Sequence, residues 1–211
     1  MHLVHQSLPE AALSEVDLAS SLGGVALGAP VLINAMTGGA DGVTAINRDL
    51  ALAARELGLP MALGSQSAGL KEPETRDSYR VVRQVNPDGI ILANVSAGTG
   101  LAVARQAIEM VEADLLQVHL NAPQEIVMRE GDRDFGGQVE AIAALVEGLS
   151  VPVIVKECGF GLSQETARQL HAVGVRAIDL SGRGGTNFAW IEAERGGTTQ
   201  DPGLLNWGIP T

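Results

Sequence analysis

The sequence predicts an α/β protein, a (β/α)8 TIM barrel of which about six of the eight strand–helix units are present. Three observations predict it. Short, continuous apolar runs alternate six times with segments of helical period. The runs are not alternating apolar and polar, which is the pattern of strands covered on both faces. A polar or Gly-rich cluster then follows every run: NAMTGG, GSQ, ANVSAGTG, HLNAPQE, KECGFG and SGRGGTNF. An open doubly wound sheet also fits the alternation, but it gathers its functional loops at one switch point. A barrel gathers them at the C-terminal ends of all its strands, so six decorated ends favour the barrel.

Taken in order, a polar lead-in gives way to PVLIN (Pro30 to Asn34), the first strand, ending in MTGGADG. VTAINRDLALAARELG has apolar residues at helical spacing, with Gly58 as its stop. PMALGS (Pro60 to Ser65) is the second strand and DSYRVVRQVN the next helix. GIILANVSA (Gly89 to Ala97), the helix LAVARQAIEMVEA and the strand DLLQVHLN (Asp114 to Asn121) follow. A helix around GQVEAIAALVEGL leads to VPVIVKE (Val151 to Glu157), the fifth strand. SQETARQLHAVG is a helix opened by Ser163, and AIDLSG (Ala177 to Gly182) is the sixth strand. No low-complexity linker or composition break divides 1–211, which reads as a single domain.

Composition excludes several classes of function. A formal charge of −11 leaves no basic surface for phosphate runs, so a nucleic-acid partner is not expected. Cys158 is the only cysteine, so no disulfide forms and a reducing cytoplasm is expected. No apolar run reaches the roughly 18 residues of a membrane span. The stretch MHLVHQSLPEAALSE lacks the basic-then-apolar layout of a secretion signal.

The clusters hold the candidate chemistry. MTGG (Met36 to Gly39) offers backbone N–H groups and a hydroxyl with little bulk, which suits a ring face or a phosphate. Taken alone, a strand-to-helix turn that simply needs glycine is the plainer reading. Ser65, Gln66 and Asn94 are donors at equivalent heights on one rim; each alone reads as a loop cap, and it is the three together that point to a ligand. Lys156 ends a buried run, where an ammonium is costly unless it meets Glu157, another rim carboxylate or the electron-rich atoms of a reduced cofactor. GRGGTNF (Gly182 to Phe188) has the form of a Gly-rich anion-binding loop opening a helix, without the Lys of a Walker loop.

The stretch VHLNAPQEIVMREGDRDF (Val118 to Phe135) crowds His119, Asn121, Gln124 and Glu125 behind a buried strand, and Pro123 ends the ladder. Such groups are costly there unless satisfied. Glu125 is a candidate ligand for a hard cation shared with substrate phosphates, or else a carboxylate at a helix N-terminus. His119 is a cleft residue or a satisfied core histidine, and Asp132 and Asp134 read as a solvated loop. There is no His/Cys spacing for zinc, no G-x-S-x-G and no G-x-G-x-x-G after the first strand.

Together INAMTGG, GSQ, ANV, QVHLNAPQEIVMREGDRDF, VPVIVKECGFG and LSGRGGTNFAWIE closely resemble the type 2 isopentenyl-diphosphate delta-isomerases, from about Leu8 to Thr211. The resemblance implies an FMN-binding TIM-barrel domain of the cytoplasm that interconverts isopentenyl diphosphate and dimethylallyl diphosphate in isoprenoid biosynthesis. It implies Mg2+ on the diphosphate, NADPH as the reductant of the flavin, and an assembly of identical chains. By the same resemblance Ala35, Met36 and Thr37, then Ser65, Asn94 and Lys156, contact the flavin, with Lys156 at its electron-rich edge. Ser181 and Thr186 reach the ribityl–phosphate side. Gln124 approaches the alkene, Glu125 holds Mg2+, and His119 and Asn121 line the same pocket. Members of the family begin earlier, with an Arg-Lys pair that grips the diphosphate, and continue past WGIPT through further strands whose loops bind the FMN phosphate. The chain is therefore expected to be truncated at both ends. Two alternatives stand beside this reading: another FMN-dependent barrel oxidoreductase, and a truncated, non-catalytic fragment.

Overall fold

The computed structural model describes residues 4–197, Gly203 and 206–211, so the first three residues of the N-terminal stretch lie outside it. It opens with an antiparallel hairpin, β1 (Ser20–Leu22) and β2 (Val25–Leu27), inside what the sequence suggests is polar lead-in. The helices are α1 (Val43–Leu57), α2 (Ser67–Lys71), α3 (Asp77–Val85), α4 (Leu101–Val111), α5 (Ala122–Val127), α6 (Gln138–Gly148), α7 (Gln164–Ala172) and α8 (Phe188–Gly196). Between them lie the strands β3 (Met61–Ala62), β4 (Ile91–Ser96), β5 (Leu115–Leu120), β6 (Val153–Glu157) and β7 (Ala177–Asp179). These five form one parallel sheet in chain order.

The expected first strand, Pro30 to Asn34, keeps its place but little of its ladder. It pairs through a single parallel bridge, Ile33 to Met61, in which Ile33 N–H donates to Pro60 O at 3.0 Å and Ala62 N–H donates to Ile33 O at 2.8 Å. Six consecutive strand positions, parallel and joined by helices, are the arrangement of a partial (β/α)8 barrel.

Helix ends follow their local chemistry. α1 stops at Gly58, whose φ of +63° is the left-handed conformation, and its N–H donates to Ala54 O. Ser163 caps α7 by accepting from Thr166 N–H at 3.1 Å, and Asn187 caps α8 by accepting from Trp190 N–H at 3.1 Å.

Period two along each strand divides the sheet into two faces. Outward, Ile91, Ala93, Val95, Leu116, Val118, Val153 and Val155 pack with Ala104, Ala107, Ile142, Leu145 and Leu170 of the helices. Inward, Ala62, Leu92, Leu115 and Ile154 form a second cluster with Leu32 and Ala177, sealed by Leu22 and Val25 of the hairpin. β1–β2 thus plugs the N-terminal end of the curled sheet. Across the interior Asn34 Nδ2 donates to Asp179 Oδ2 at 2.6 Å, joining the first strand position to the last. Among the described residues no helix is long and apolar enough to cross a membrane.

Candidate active site

At the opposite, C-terminal end of the strands lies a cleft of about 730 Å3. Of the residues singled out from the sequence, Ala35, Met36, Ser65, His119, Asn121, Gln124, Glu125, Lys156, Ser181 and Thr186 line it. Thr37 and Asn94 do not.

The cleft floor is set by inward strand positions. Gln117 and His119 on β5 share the inner face with Asn94 on β4 and Lys156 on β6, with His119 in register with Lys156. Lys156 is 8% exposed, and its Nζ donates to the backbone O of Glu157 at 2.7 Å and lies 3.6 Å from Cys158 Sγ. No carboxylate pairs with it among the described residues. The pairing with Glu157 that the sequence allows is not made. Glu157 points outward, accepts from Phe160 N–H at 2.5 Å and Gly161 N–H at 3.0 Å, and its carboxyl is pushed up from the ordinary range by burial. The Lys156 ammonium therefore faces the cleft with capacity for an electron-rich ligand.

His119 is both things the sequence allows. It is 9% exposed and satisfied on one side, where Nδ1 lies 2.8 Å from Asn94 Oδ1, yet it lines the cleft. Burial first, and the Lys156 charge second, lower its pKa to about 4, so the ring is neutral near pH 7. Gln117 is fully buried; its Nε2 donates to Asn34 Oδ1 at 3.3 Å and its Oε1 has no hydrogen-bond partner.

One wall comes from the β5–α5 turn and α8. Glu125 Oε1 accepts from Asn121 Nδ2 at 2.7 Å and Oε2 from Asp132 N–H at 2.9 Å, so both oxygens are oriented by neutral donors. Arg133 spends its guanidinium on backbone carbonyls, among them Glu125 O and Met128 O. No group of three or more His, Cys, Asp or Glu could hold a metal among the described residues. One carboxylate with spare lone pairs suits a hard cation only if the substrate supplies further oxygens. Gln124 Nε2 donates to Glu192 Oε1 at 3.1 Å, and Glu192 Oε2 accepts from Arg195 Nε at 2.7 Å.

The remaining rim shows why glycine and hydroxyl residues sit there. A Cβ on Gly38 would enter the ring of Tyr79, a fully buried residue whose hydroxyl donates to Ser65 O at 2.6 Å. Packing therefore explains that glycine of MTGG without a ligand. Thr37 Oγ1 donates inward to Asn47 Oδ1 at 2.5 Å, and Thr37 O accepts from Gly64 N–H at 2.9 Å. Ser181 has a φ of +36°, and both its N–H and its hydroxyl donate to Asp179 Oδ1 at 3.0 Å, which holds the turn.

Asn34, Gln117, Asp179 and Glu192 shape the site although the sequence reading gives them no role. For Gln117 a signal existed: it stands two residues before His119, hence on the same strand face. Glu192 carried none, since its contact with Gln124 spans 68 residues.

No protein-family model matches the chain. It is 66% identical over 212 residues to an isopentenyl-diphosphate delta-isomerase of Symbiobacterium thermophilum, covering 100% of this chain and 58% of that protein. Proteins of the same name from Moorella thermoacetica and Bacillus pumilus are 53% and 51% identical, with 61% and 59% of their lengths covered. The chain thus spans about three fifths of the length of the curated relatives it matches. Among solved structures, a lactate oxidase of Pediococcus acidilactici aligns with a TM-score of 0.56 at 15% identity, over 88% of this chain and 58% of that one. A flavocytochrome b2 variant aligns with a TM-score of 0.55 at 16% identity, over 77% and 44%. At those identities the likeness is one of fold.

Proposed function

We propose that the chain, which is 51–66% identical along its length to proteins named isopentenyl-diphosphate delta-isomerase, is the FMN-binding barrel part of an enzyme interconverting isopentenyl diphosphate and dimethylallyl diphosphate. The observation that carries this reading is the 66% identity to a protein of that name over the full chain. On the same reading the enzyme is cytoplasmic and homo-oligomeric, uses Mg2+ on the diphosphate and takes NADPH as the reductant of the flavin.

The donor set of the cleft fits a flavin. A buried ammonium without a carboxylate partner suits an electron-rich ring system, small residues at the rim leave it room, and the neutral imidazole adds no second charge. Bound in its reduced form, FMN would supply an electron-rich face for the positive character that alkene protonation creates. The residues of the chain do the rest. Ala35, Met36 and Ser65 would hold the ring, and Ser181 and Thr186 its ribityl–phosphate side. Lys156 stabilises negative charge on the ring more strongly than neutral ring atoms. Thr37 and Asn94 act from behind this surface, since their side chains are spent on Asn47, Leu63 and His119. Glu125, oriented by Asn121 and Asp132 N–H, offers one carboxylate to Mg2+ shared with the diphosphate. Gln124, held by Glu192, positions the alkene end; a neutral amide is a poor proton donor.

The test is a flavin titration of the chain under anaerobic and aerobic conditions, beside an assay of dimethylallyl diphosphate formation with and without Mg2+. Saturable binding is expected, with Lys156→Ala weakening reduced FMN more than oxidised. Equal losses for the two oxidation states would remove the charge role of Lys156. No saturable binding would mean that this chain alone does not form the cofactor face, and would favour the reading as a non-catalytic fragment. Glu125→Gln is expected to raise the Mg2+ concentration needed for substrate binding, and an unchanged requirement would remove Glu125 as the ligand.

A further inference from the structure

Behind His119 runs a chain of buried amides whose orientation is determined at both ends by backbone groups. Gln66 Nε2 donates to Ala107 O at 2.9 Å, and its Oε1 accepts from Asn94 N–H at 2.9 Å. A carbonyl only accepts and an N–H only donates, so the Gln66 amide has one possible orientation. Gln66 N–H donates in turn to Asn94 O at 2.9 Å, which ties the two residues together from the backbone side. Asn94, 3% exposed, donates from Nδ2 to Leu63 O at 2.9 Å. Its Oδ1 is thereby forced towards His119, whose Nδ1 lies 2.8 Å away. An amide oxygen cannot donate, so the hydrogen of that contact belongs to the imidazole.

The ring is neutral near pH 7, because burial and the Lys156 charge oppose the imidazolium, and a neutral imidazole carries one hydrogen. If Nδ1 holds it, Nε2 is bare. Nε2 is also open: among the described residues it has no hydrogen-bond partner, and it is not one of the fully buried side-chain polar atoms without a partner, which are Asn86 Nδ2 and Gln117 Oε1. His119 lines the cleft, so this atom meets whatever occupies it.

We infer that Asn94, itself held by Leu63 O and Gln66, is a positioning residue that fixes His119 as the Nδ1–H tautomer, so that the ring presents Nε2 to the cleft as a hydrogen-bond acceptor. The group that binds there is one that carries a hydrogen, a ring N–H or a hydroxyl, and not a bare carbonyl or phosphate oxygen. This deepens the proposed function, and rests on that reading only for the identity of the ligand. The tautomer belongs to the ligand-free chain.

The experiment is 15N NMR of the 211-residue chain carrying labelled histidine, at pH 7 and without flavin or substrate. With four histidines in the sequence, His119→Gln assigns the resonance. The wild-type chain is expected to show Nδ1 protonated and Nε2 far downfield as a bare nitrogen. Asn94→Ala should average the two nitrogens or reverse their order. Asn94→Asp keeps an acceptor facing Nδ1 and should keep Nδ1 protonated. A wild-type His119 protonated on Nε2 would overturn the inference, and so would an Nδ1–H pattern that Asn94→Ala leaves unchanged. If Asn94→Ala does not fold, the wild-type and Asn94→Asp spectra decide it. A failure of FMN to bind would fall on the proposed function alone, because no step of this test contains FMN.

Discussion

Two layers of the same barrel interior, one turn of pleat apart on the same strands, have opposite chemistry. Nearer the hairpin, Ala62, Leu92, Leu115, Ile154 and Ala177 meet as an apolar plug. Two residues further along the strands, Asn94, Gln117 and Lys156 take the inward positions, with Asn34 and Asp179 bridging across. Strand geometry is the same in both layers, so the difference lies in side chains alone. The lower layer stabilises the fold. The upper layer is costly to bury and is held by hydrogen bonds that leave Gln117 Oε1 and the Lys156 charge incompletely answered by protein. Stability and ligand capacity are thus separated by about one strand repeat.

The largest effect expected from this contrast comes from moving the chemistry of one layer into the other. Leu115→Asp places a carboxylate in the sealed plug without a partner and should cost about 3–5 kcal/mol or more, enough to unfold the chain. Circular dichroism across a urea series checks it; a folded variant with a near wild-type midpoint would mean that the plug is wet and the contrast false.

Next is the pH dependence of the polar layer. His119 has its pKa lowered from 6.5 to about 4, so the unfolded chain binds a proton that the folded chain refuses as pH falls. Its stabilisation is complete above pH 6.5 and is lost as pH falls towards 4, about 3 kcal/mol in all, of which about 2 kcal/mol goes between pH 7 and 5. Glu157 acts with the opposite sign: its folded carboxyl is raised by burial, so its contribution falls as pH rises through the carboxylate range. The difference between wild type and His119→Gln isolates the histidine. Urea midpoints of the two chains should converge from pH 7 to pH 5, and parallel curves would remove the effect.

The smallest effect has the most informative sign. Lys156→Met keeps the length of the side chain and removes a buried, unpaired ammonium, so it should raise stability by about 1 kcal/mol. The same change should weaken binding of reduced FMN. A variant that loses both stability and affinity would make Lys156 a structural residue and erase the division between the layers.

Much of this architecture was legible in the sequence because buried parallel strands are written as continuous apolar runs. Those at β4, β5 and β6 stand where the runs do, and Ser163 and Gly58 mark helix ends through their side-chain and backbone chemistry. The hairpin was not legible, since SSL and VAL are too short and mixed for a period to emerge. PVLIN kept its position but pairs only through Ile33, because Pro30 offers no N–H and the partner strand is two residues long. At the site, residue type and strand end located the cleft, but not the direction of each polar group. Thr37 and Asn94 stand at the right height and turn into the protein, towards acceptors on α1 and beside β3 that no spacing in the chain announces. Glu192 arrives from α8 for the same reason: contacts between distant segments are products of packing, which leaves no local mark.

The contact between Asn34 and Asp179 bears on the order in which the molecule can be made. Every strand of the parallel sheet docks on its immediate predecessor in the chain, so the sheet can grow unit by unit from the ribosome outward. The bridge across the mouth is different: its partners are 145 residues apart. Contacts of such separation wait on the closure of everything between them. The core is therefore available to a partly synthesised chain, whereas the cleft with its bridge exists only after β7 has been laid down.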